Sequence, residues 1–234
     1  MKQDLKNKEH KLFNKLSKEW WDENGKFRVL HQIRPIRIQY ILDQLDSNGV
    51  KNLDILDIGC GGGLVCESLS KLGGKITGID FVKNNIEVAR LHSKEKNLKI
   101  DYQHGNIEKI KINKKFDLII MFEVLEHLNE WEFVLSRIKN NLKKNGIVII
   151  STINRNFLSK LIAIYFAENF LRWIPVGTHN FNKLIKPEEI ELLMEKNNMK
   201  LINLRGLVFD VINFEWKLSS NTNINYFCTY KNIS

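Results

Sequence analysis

The stretch Leu56-Asp57-Ile58-Gly59-Cys60-Gly61-Gly62-Gly63 constrains the fold more than any other part of the chain. The apolar run from Leu53 to Ile58 reads as a short buried strand, and the glycines let the backbone turn tightly and open a helix at about Leu64. A dinucleotide-binding turn would read G-x-G-x-x-G, with a pyrophosphate on the helix N-terminus. Here Gly59 and Gly61 are followed by Leu64, so the third glycine is missing. Asp57 would also set negative charge beside a pyrophosphate, whereas it suits the cationic amino and sulfonium groups of S-adenosylmethionine. About 20 residues beyond Gly59, the segment KITGID reads as a second strand whose last residue, Asp80, is placed to accept hydrogen bonds from two ribose hydroxyls. The alternative is a glycine-rich loop that holds no ligand.

At 234 residues the chain is long enough for one domain with a large core. We read a single domain over 1–234, with N-terminal cap helices in 1–50 and an apolar insertion at 153–186. The N-terminus (MKQDLKNKEHKL) is polar and no run of 18 or more uncharged apolar residues occurs, so neither a signal peptide nor a membrane span is expected. That predicts a cytoplasmic protein. Cys60, Cys66 and Cys228 are odd in number and form no C-x-x-C, which fits reduced structural thiols rather than a zinc framework. The net charge of +9 fits nucleic acid, an anionic membrane surface, or lysines scattered over solvent.

Residues 8–21 and 33–46 read as two helices ahead of the first strand, the former carrying Phe13, Leu16, Trp20 and Trp21. Beyond the glycine loop come a helix at 63–72, a strand at 75–80, a helix at 83–96 and a strand at 99–103. This alternation means a parallel sheet with right-handed crossovers. FDLIIMF (116–122) is almost wholly apolar, as a strand buried on both faces should be, and a helix at 131–143 leads through Asn145-Gly146 into a strand at 147–152. Pro187, with Glu188 and Glu189 behind it, opens a helix to about Asn197, followed by strands near 199–208 and 224–231. The expected architecture is α/β, a Rossmann-like sheet of seven strands, parallel except for the closing strand. Ligands bind such sheets at the carboxyl ends of the strands, which gathers Gly59, Asp80, Gly105-Asn106, Phe122 and Thr152 along one edge.

Just past the fourth strand lies Phe122-Glu123-Val124-Leu125-Glu126-His127, where a nucleic-acid amino-methyltransferase would carry Asn or Asp followed by two prolines. No nucleic-acid partner is therefore expected. If this segment runs into a helix, Glu123, Glu126 and His127 share one face. They would bind a divalent cation such as Mg²⁺, or His127 with Glu126 would act in base catalysis, or the three would only cap and pair. Either chemical role serves in-line attack of an oxygen on a sulfonium methyl, because a phenol is a weak nucleophile until its proton leaves.

The insertion spends about 34 residues where ~2 to 6 are usual. Its core, FLSKLIAIYFAENFLRWI (157–174), places Lys160, Glu168 and Arg172 on one helical face, leaving a broad apolar arc. It reads either as a helix folded on the sheet edge or as an interfacial helix that touches an anionic membrane over 157–186 and covers an apolar substrate, aided by Lys183 and Lys186. Thr178-His179-Asn180 returns toward the pocket, where His179 orients substrate or bonds locally.

Taken in order, Trp20-Trp21-Asp22, LHQIRPIR (30–37), LDIGCGGGL, FEVLEH, TINRN (152–156) and PVGTHNFNKLIKP resemble the ubiquinone biosynthesis O-methyltransferases, from about Phe13 to Tyr230. The glycine loop alone belongs to all Rossmann-like methyltransferases; the ordered set is specific. The resemblance implies methylation of ring hydroxyls on polyprenylated ubiquinone precursors (2-polyprenyl-6-hydroxyphenol and 3-demethylubiquinol) by a cytosolic or peripheral inner-membrane enzyme. Other enzymes of ubiquinone biosynthesis become candidate partners. It also implies S-adenosylmethionine contacts at Arg37, Gly59, Asp80 and Phe122. In the eukaryotic branch an E-x-x-E-H motif, matching Glu123, Glu126 and His127, binds a divalent cation. Arg37 could pair with the methionine carboxylate as a planar fork. Asn106 stands where related enzymes often place an acid for the adenine amino group.

Overall fold

The structure, a computed structural model, describes residues 19–156 and 183–234. Most of the first expected helix, the core of the insertion and Thr178-His179-Asn180 lie outside the described residues. In chain order the elements are α1 (Arg28–Asp43), β1 (Asp54–Ile58), α2 (Leu64–Lys71), β2 (Lys75–Asp80), α3 (Lys83–Glu95), β3 (Asp101–His104) and β4 (Phe116–Phe122). Then follow α4 (Trp131–Ile138), β5 (Leu142–Ile153), α5 (Pro187–Lys196), β6 (Met199–Asp210), β7 (Glu215–Ser219) and β8 (Asn225–Asn232). All eight strands join one sheet in the order β3-β2-β1-β4-β5-β8-β6-β7. The pairs β3·β2, β2·β1, β1·β4 and β4·β5 are parallel, so these strands end at one edge. The three remaining pairs, β5·β8, β8·β6 and β6·β7, are antiparallel.

The apolar pattern explains the layering. In β4, Leu118, Ile120 and Phe122 pack under α1 and α2, while Ile119 and Met121 pack under α4 and α5. A strand covered on both faces needs such an unbroken run rather than alternation. α1 is fastened to its face by Tyr40, whose ring stacks on Phe227 with centroids 4.7 Å apart. Its hydroxyl lies 2.9 Å from Thr229 Oγ1 and donates to Asn203 Oδ1 at 3.3 Å.

The main departures from the sequence expectation are three. α1 begins at Arg28 rather than 33 because Pro35, which favours a first turn, is accommodated inside the helix. α4 stops at Ile138, and β5 starts at Leu142 rather than 147. Leu142 pairs with Phe116 ahead of a register shift, Asn145 adopts φ 61°, and Lys143 binds Asp54 and Asp117 at 2.8 Å each. The third difference is an eighth strand, β7. The apolar run after Arg205 continues to Asp210, whose carboxylate accepts the Ile212 and Asn213 amides and Lys217 Nζ, turning the chain into a hairpin.

Because Tyr40 lies one turn after Arg37 on α1, its docking also sets that arginine. Tyr40→Phe leaves Thr229 and Asn203 short of a buried partner and is expected to cost about 1–3 kcal/mol in urea unfolding. A change of only a few tenths would show that the hydroxyl does not hold the helix.

Candidate active site

The site forms where β1, β2, β4 and β5 end. Gly59 leaves β1 at φ 74°, and a Cβ there would fall 2.4 Å from Val124 Cγ2. Gly61 turns at φ 54°, with the Trp20 ring 2.4 Å from where its Cβ would lie. Only glycine adopts both conformations at this closeness without strain. The loop is tied to the end of β2. Asp80 Oδ2 accepts the Gly61 amide at 2.9 Å, and its Oδ1 accepts the Val82 amide at 2.8 Å and Asn85 Nδ2 at 3.3 Å. Burial raises the Asp80 pKa, and these donors oppose that shift.

Asp57, in β1, is buried beneath the loop and accepts the Cys66 thiol at 3.1 Å. Burial pushes its carboxyl up to about 7, against the opposing pull of Cys66 and Arg37. Arg37 is itself buried. Its Nη2 donates to Glu123 Oε1 at 3.3 Å, and its guanidinium lies 4.9 Å from the Phe122 ring centroid. Burial lowers the Arg37 pKa, while Glu123, Asp57 and Glu126 hold it up. Its buried Nε has no hydrogen-bond partner among the described residues. A planar donor with an unused N–H is what a methionine carboxylate would engage, and a buried acid at Asp57 suits the amino group, so these residues fit S-adenosylmethionine.

The segment after β4 departs from the sequence expectation. Glu123 adopts φ 54°, and only Leu125–His127 form a helical turn, of the tighter 3-10 type. A left-handed residue at the start breaks the helical spacing, so Glu123 does not share a helix face with Glu126 and His127. Its Oε1 takes Ser151 Oγ, Arg37 and Asn225 Nδ2, the last at 3.0 Å. Glu126 is buried and accepts Thr152 Oγ1 at 2.8 Å. Burial and then Glu123 raise its pKa to about 7, while His127 lowers it. Among the described residues no three His, Cys, Asp or Glu side chains are arranged to hold a metal ion. Glu123, Glu126 and His127 as folded do not fit one.

Gly59, Gly61, Asp57, Asp80, Arg37, Phe122, Glu126 and His127 thus gather at one edge. Asn106 Oδ1 accepts the Glu108 amide at 2.9 Å in a local turn. Ser151 and Asn225, which hold Glu123, and Asn85, which holds Asp80, escaped sequence reading. A polar residue at a strand end or in a first helical turn carries no distinguishing pattern. Thr152 was placed at the edge by topology, though its bond to Glu126 was not foreseen.

A family model described as a methyltransferase domain matches residues 29–204. The ubiquinone biosynthesis O-methyltransferase of Pelagibacter ubique is 43% identical over 230 residues, 95% of this chain and 96% of that protein. The protein of that name from Rickettsia canadensis is 43% identical, covering 94% of each chain. Among solved structures, magnesium protoporphyrin IX methyltransferase from Synechocystis, with bound SAH, superposes with a TM-score of 0.65 at 15% identity, over 88% of this chain and 85% of that one. A SAM-dependent methyltransferase from Thermotoga maritima gives 0.65 at 17% identity, over 94% and 98%. The last two establish the Rossmann-like methyltransferase fold, and the sequence relatives establish more: this chain belongs to the ubiquinone biosynthesis O-methyltransferase family.

Proposed function

We propose that this chain, a single domain over 1–234, transfers a methyl group from S-adenosylmethionine to ring hydroxyls of polyprenylated phenols and catechols, as 2-polyprenyl-6-hydroxyphenol and 3-demethylubiquinol are methylated in ubiquinone biosynthesis. The observation that carries this reading is the convergence on one sheet edge of a glycine loop, the buried carboxylates Asp57, Asp80 and Glu126, the buried Arg37, and His127 near Glu126. S-adenosylmethionine supplies an electrophilic methyl on a sulfonium when bound. Arg37 would hold the methionine carboxylate, Asp57 its amino group, Asp80 the ribose hydroxyls and Phe122 the nucleoside. His127 would remove the proton of the acceptor hydroxyl, freeing its oxygen to take the methyl as the S–C bond breaks and S-adenosylhomocysteine leaves. Glu126, held by Thr152 and titrating at about 7, stabilises the imidazolium that forms. Positioned base catalysis of this kind contributes typically ~10²- to 10⁴-fold.

An apolar acceptor brings a membrane surface with it, and the β6–β7 hairpin supports that. β5 and β6 both run antiparallel to β8, so β6 ends at the edge where Ile153 leaves for the insertion. At the hairpin tip Val211, Ile212 and Phe214 are 71%, 85% and 81% exposed. Exposed apolar groups clustered beside a site for a lipidic substrate suit a bilayer interface. No helix among the described residues is long and apolar enough to cross a membrane, which leaves peripheral attachment at the inner membrane as the mode proposed here.

Three measurements test this reading. Labelled methyl transfer from S-adenosylmethionine to a short-chain prenylated catechol should proceed with EDTA present, and His127→Ala should lower kcat by ~10²-fold or more with cofactor affinity intact. Transfer that EDTA abolishes and magnesium restores would overturn the metal-free assignment, and normal turnover in His127→Ala would overturn the base. The second concerns Asp57. The free protein holds it protonated below about 7, and the cationic cofactor favours its ionised form, so binding releases a proton at lower pH. Affinity for S-adenosylmethionine should therefore rise by about tenfold from pH 5.5 to 7 and then level off. Asp57→Asn should flatten the profile, and a flat wild-type profile refutes the pairing. Third, Ile212→Asp with Phe214→Asp should weaken co-sedimentation with anionic liposomes several-fold; unchanged sedimentation removes the hairpin from the membrane contact.

A further inference from the structure

The N-terminal cap and the end of β2 are joined by a chain of hydrogen bonds that cofactor contact alone does not explain. Trp20 Nε1 donates to Asn85 Oδ1 at 2.9 Å, and Asn85 Nδ2 donates to Asp80 Oδ1 at 3.3 Å. All three side chains are buried. An indole N–H can only donate, whereas an amide presents an oxygen at one end and an NH₂ at the other. Trp20 therefore decides which end of Asn85 faces Asp80: the oxygen is drawn to the indole and the NH₂ is left for the carboxylate.

Trp20 is itself held firmly. Its ring stacks on Phe27 at 4.0 Å between centroids, with 7° between planes. Its carbonyl lies 2.9 Å from His31 Nε2, and the neighbouring Trp21 donates Nε1 to Gly62 O at 3.1 Å. The same ring covers Gly61 and Gly62, so their bareness serves the cap tryptophan as well as a ligand. The cap thus reaches both the loop and the carboxylate beyond it.

We propose that Trp20 and Asn85 are positioning residues for the cofactor ribose: the indole orients the Asn85 amide, and the amide aligns Asp80 to receive the hydroxyls. This rests on Asp80 being the ribose ligand. Without the indole donor, the amide gains a second orientation in which its oxygen opposes the carboxylate, and two acceptors repel. Neither residue touches the reacting atoms, so the effect belongs to cofactor recognition rather than to the chemical step.

The test is calorimetric binding of S-adenosylhomocysteine and its 2′-deoxy analogue to wild type, Trp20→Phe, Asn85→Ala and the double variant, with steady-state kinetics alongside. Wild type should bind the deoxy analogue about tenfold more weakly. Each single variant should bind S-adenosylhomocysteine about tenfold more weakly and discriminate against the analogue by less than about twofold. The double variant should be no weaker than the weaker single, because both changes break one chain. The loss should fall on KM for the cofactor and leave kcat at saturation. Full wild-type discrimination in either folded variant overturns the proposal; should Trp20→Phe fail to fold, Asn85→Ala decides it. No discrimination in wild type would instead remove Asp80 as the ribose ligand, and the proposal with it.

Discussion

A buried guanidinium facing three carboxylates is the constraint on which this edge depends. Arg37 interacts with Glu123, Asp57 and Glu126 from inside the protein. Removing such a charge from water costs several kcal/mol, which only well-placed partners offset. The arrangement explains why α1 must dock where it does. Tyr40 and Phe227 fasten the helix to β8, and one turn earlier Arg37 is delivered over Phe122. A lysine is not equivalent, because the planar guanidinium lies over the ring and presents its N–H groups to Glu123 as a rigid fork, whereas an ammonium is a point charge. It also explains why Glu123 tolerates a left-handed backbone: Ser151, Arg37 and Asn225 converge on its Oε1 and fix the residue despite the strain.

The carboxylates divide by environment. Asp57 and Glu126 are raised to about 7 chiefly by burial. Each therefore responds to a charge arriving nearby in the range where phenol chemistry is conducted. Asp80 is raised too, but two backbone amides and Asn85 oppose the shift. The neutral ribose hydroxyls proposed for it would need aligned acceptors more than a change of charge. One strand edge can thus hold several acids because each is given different donors.

Much of the fold was legible in the sequence, and the reason is local. β2 and β4 fall at the positions their apolar runs predict, and the helix after the glycine loop opens at Leu64. Buried parallel strands need continuous apolar stretches, and tight turns need glycine, so both leave direct marks. The last strands were less legible because hairpins are fixed by side-chain bonds to the turn. Asp210 gathers two amides and Lys217 to reverse β6 into β7, and nothing in the run from Arg205 to Phe214 announces that reversal. In β5, the Lys143 pairing with Asp54 and Asp117 is a contact across the sheet that no window of sequence contains.

The site shows the same division between local and distant causes. Asp57, Gly59 and Asp80 stand out because their spacing along the chain is itself the signal, and the fold brings them to one edge. Glu123, Glu126 and His127 were noticed for that reason too, and there spacing misled. Three and four positions mean one face only if the backbone is helical throughout. At the end of β4 the chain turns through φ 54° at Glu123 before its single 3-10 turn. That turn lets β5 and β8 capture Glu123 through Ser151 and Asn225, while Thr152 captures Glu126. Successive residues of β5 thus give each carboxylate its own hydroxyl donor, while the two acids stay close enough for Glu123 to raise the Glu126 pKa. Both acids also hold up the Arg37 charge, and their partners come from β5 and β8 rather than from anything in the FEVLEH motif.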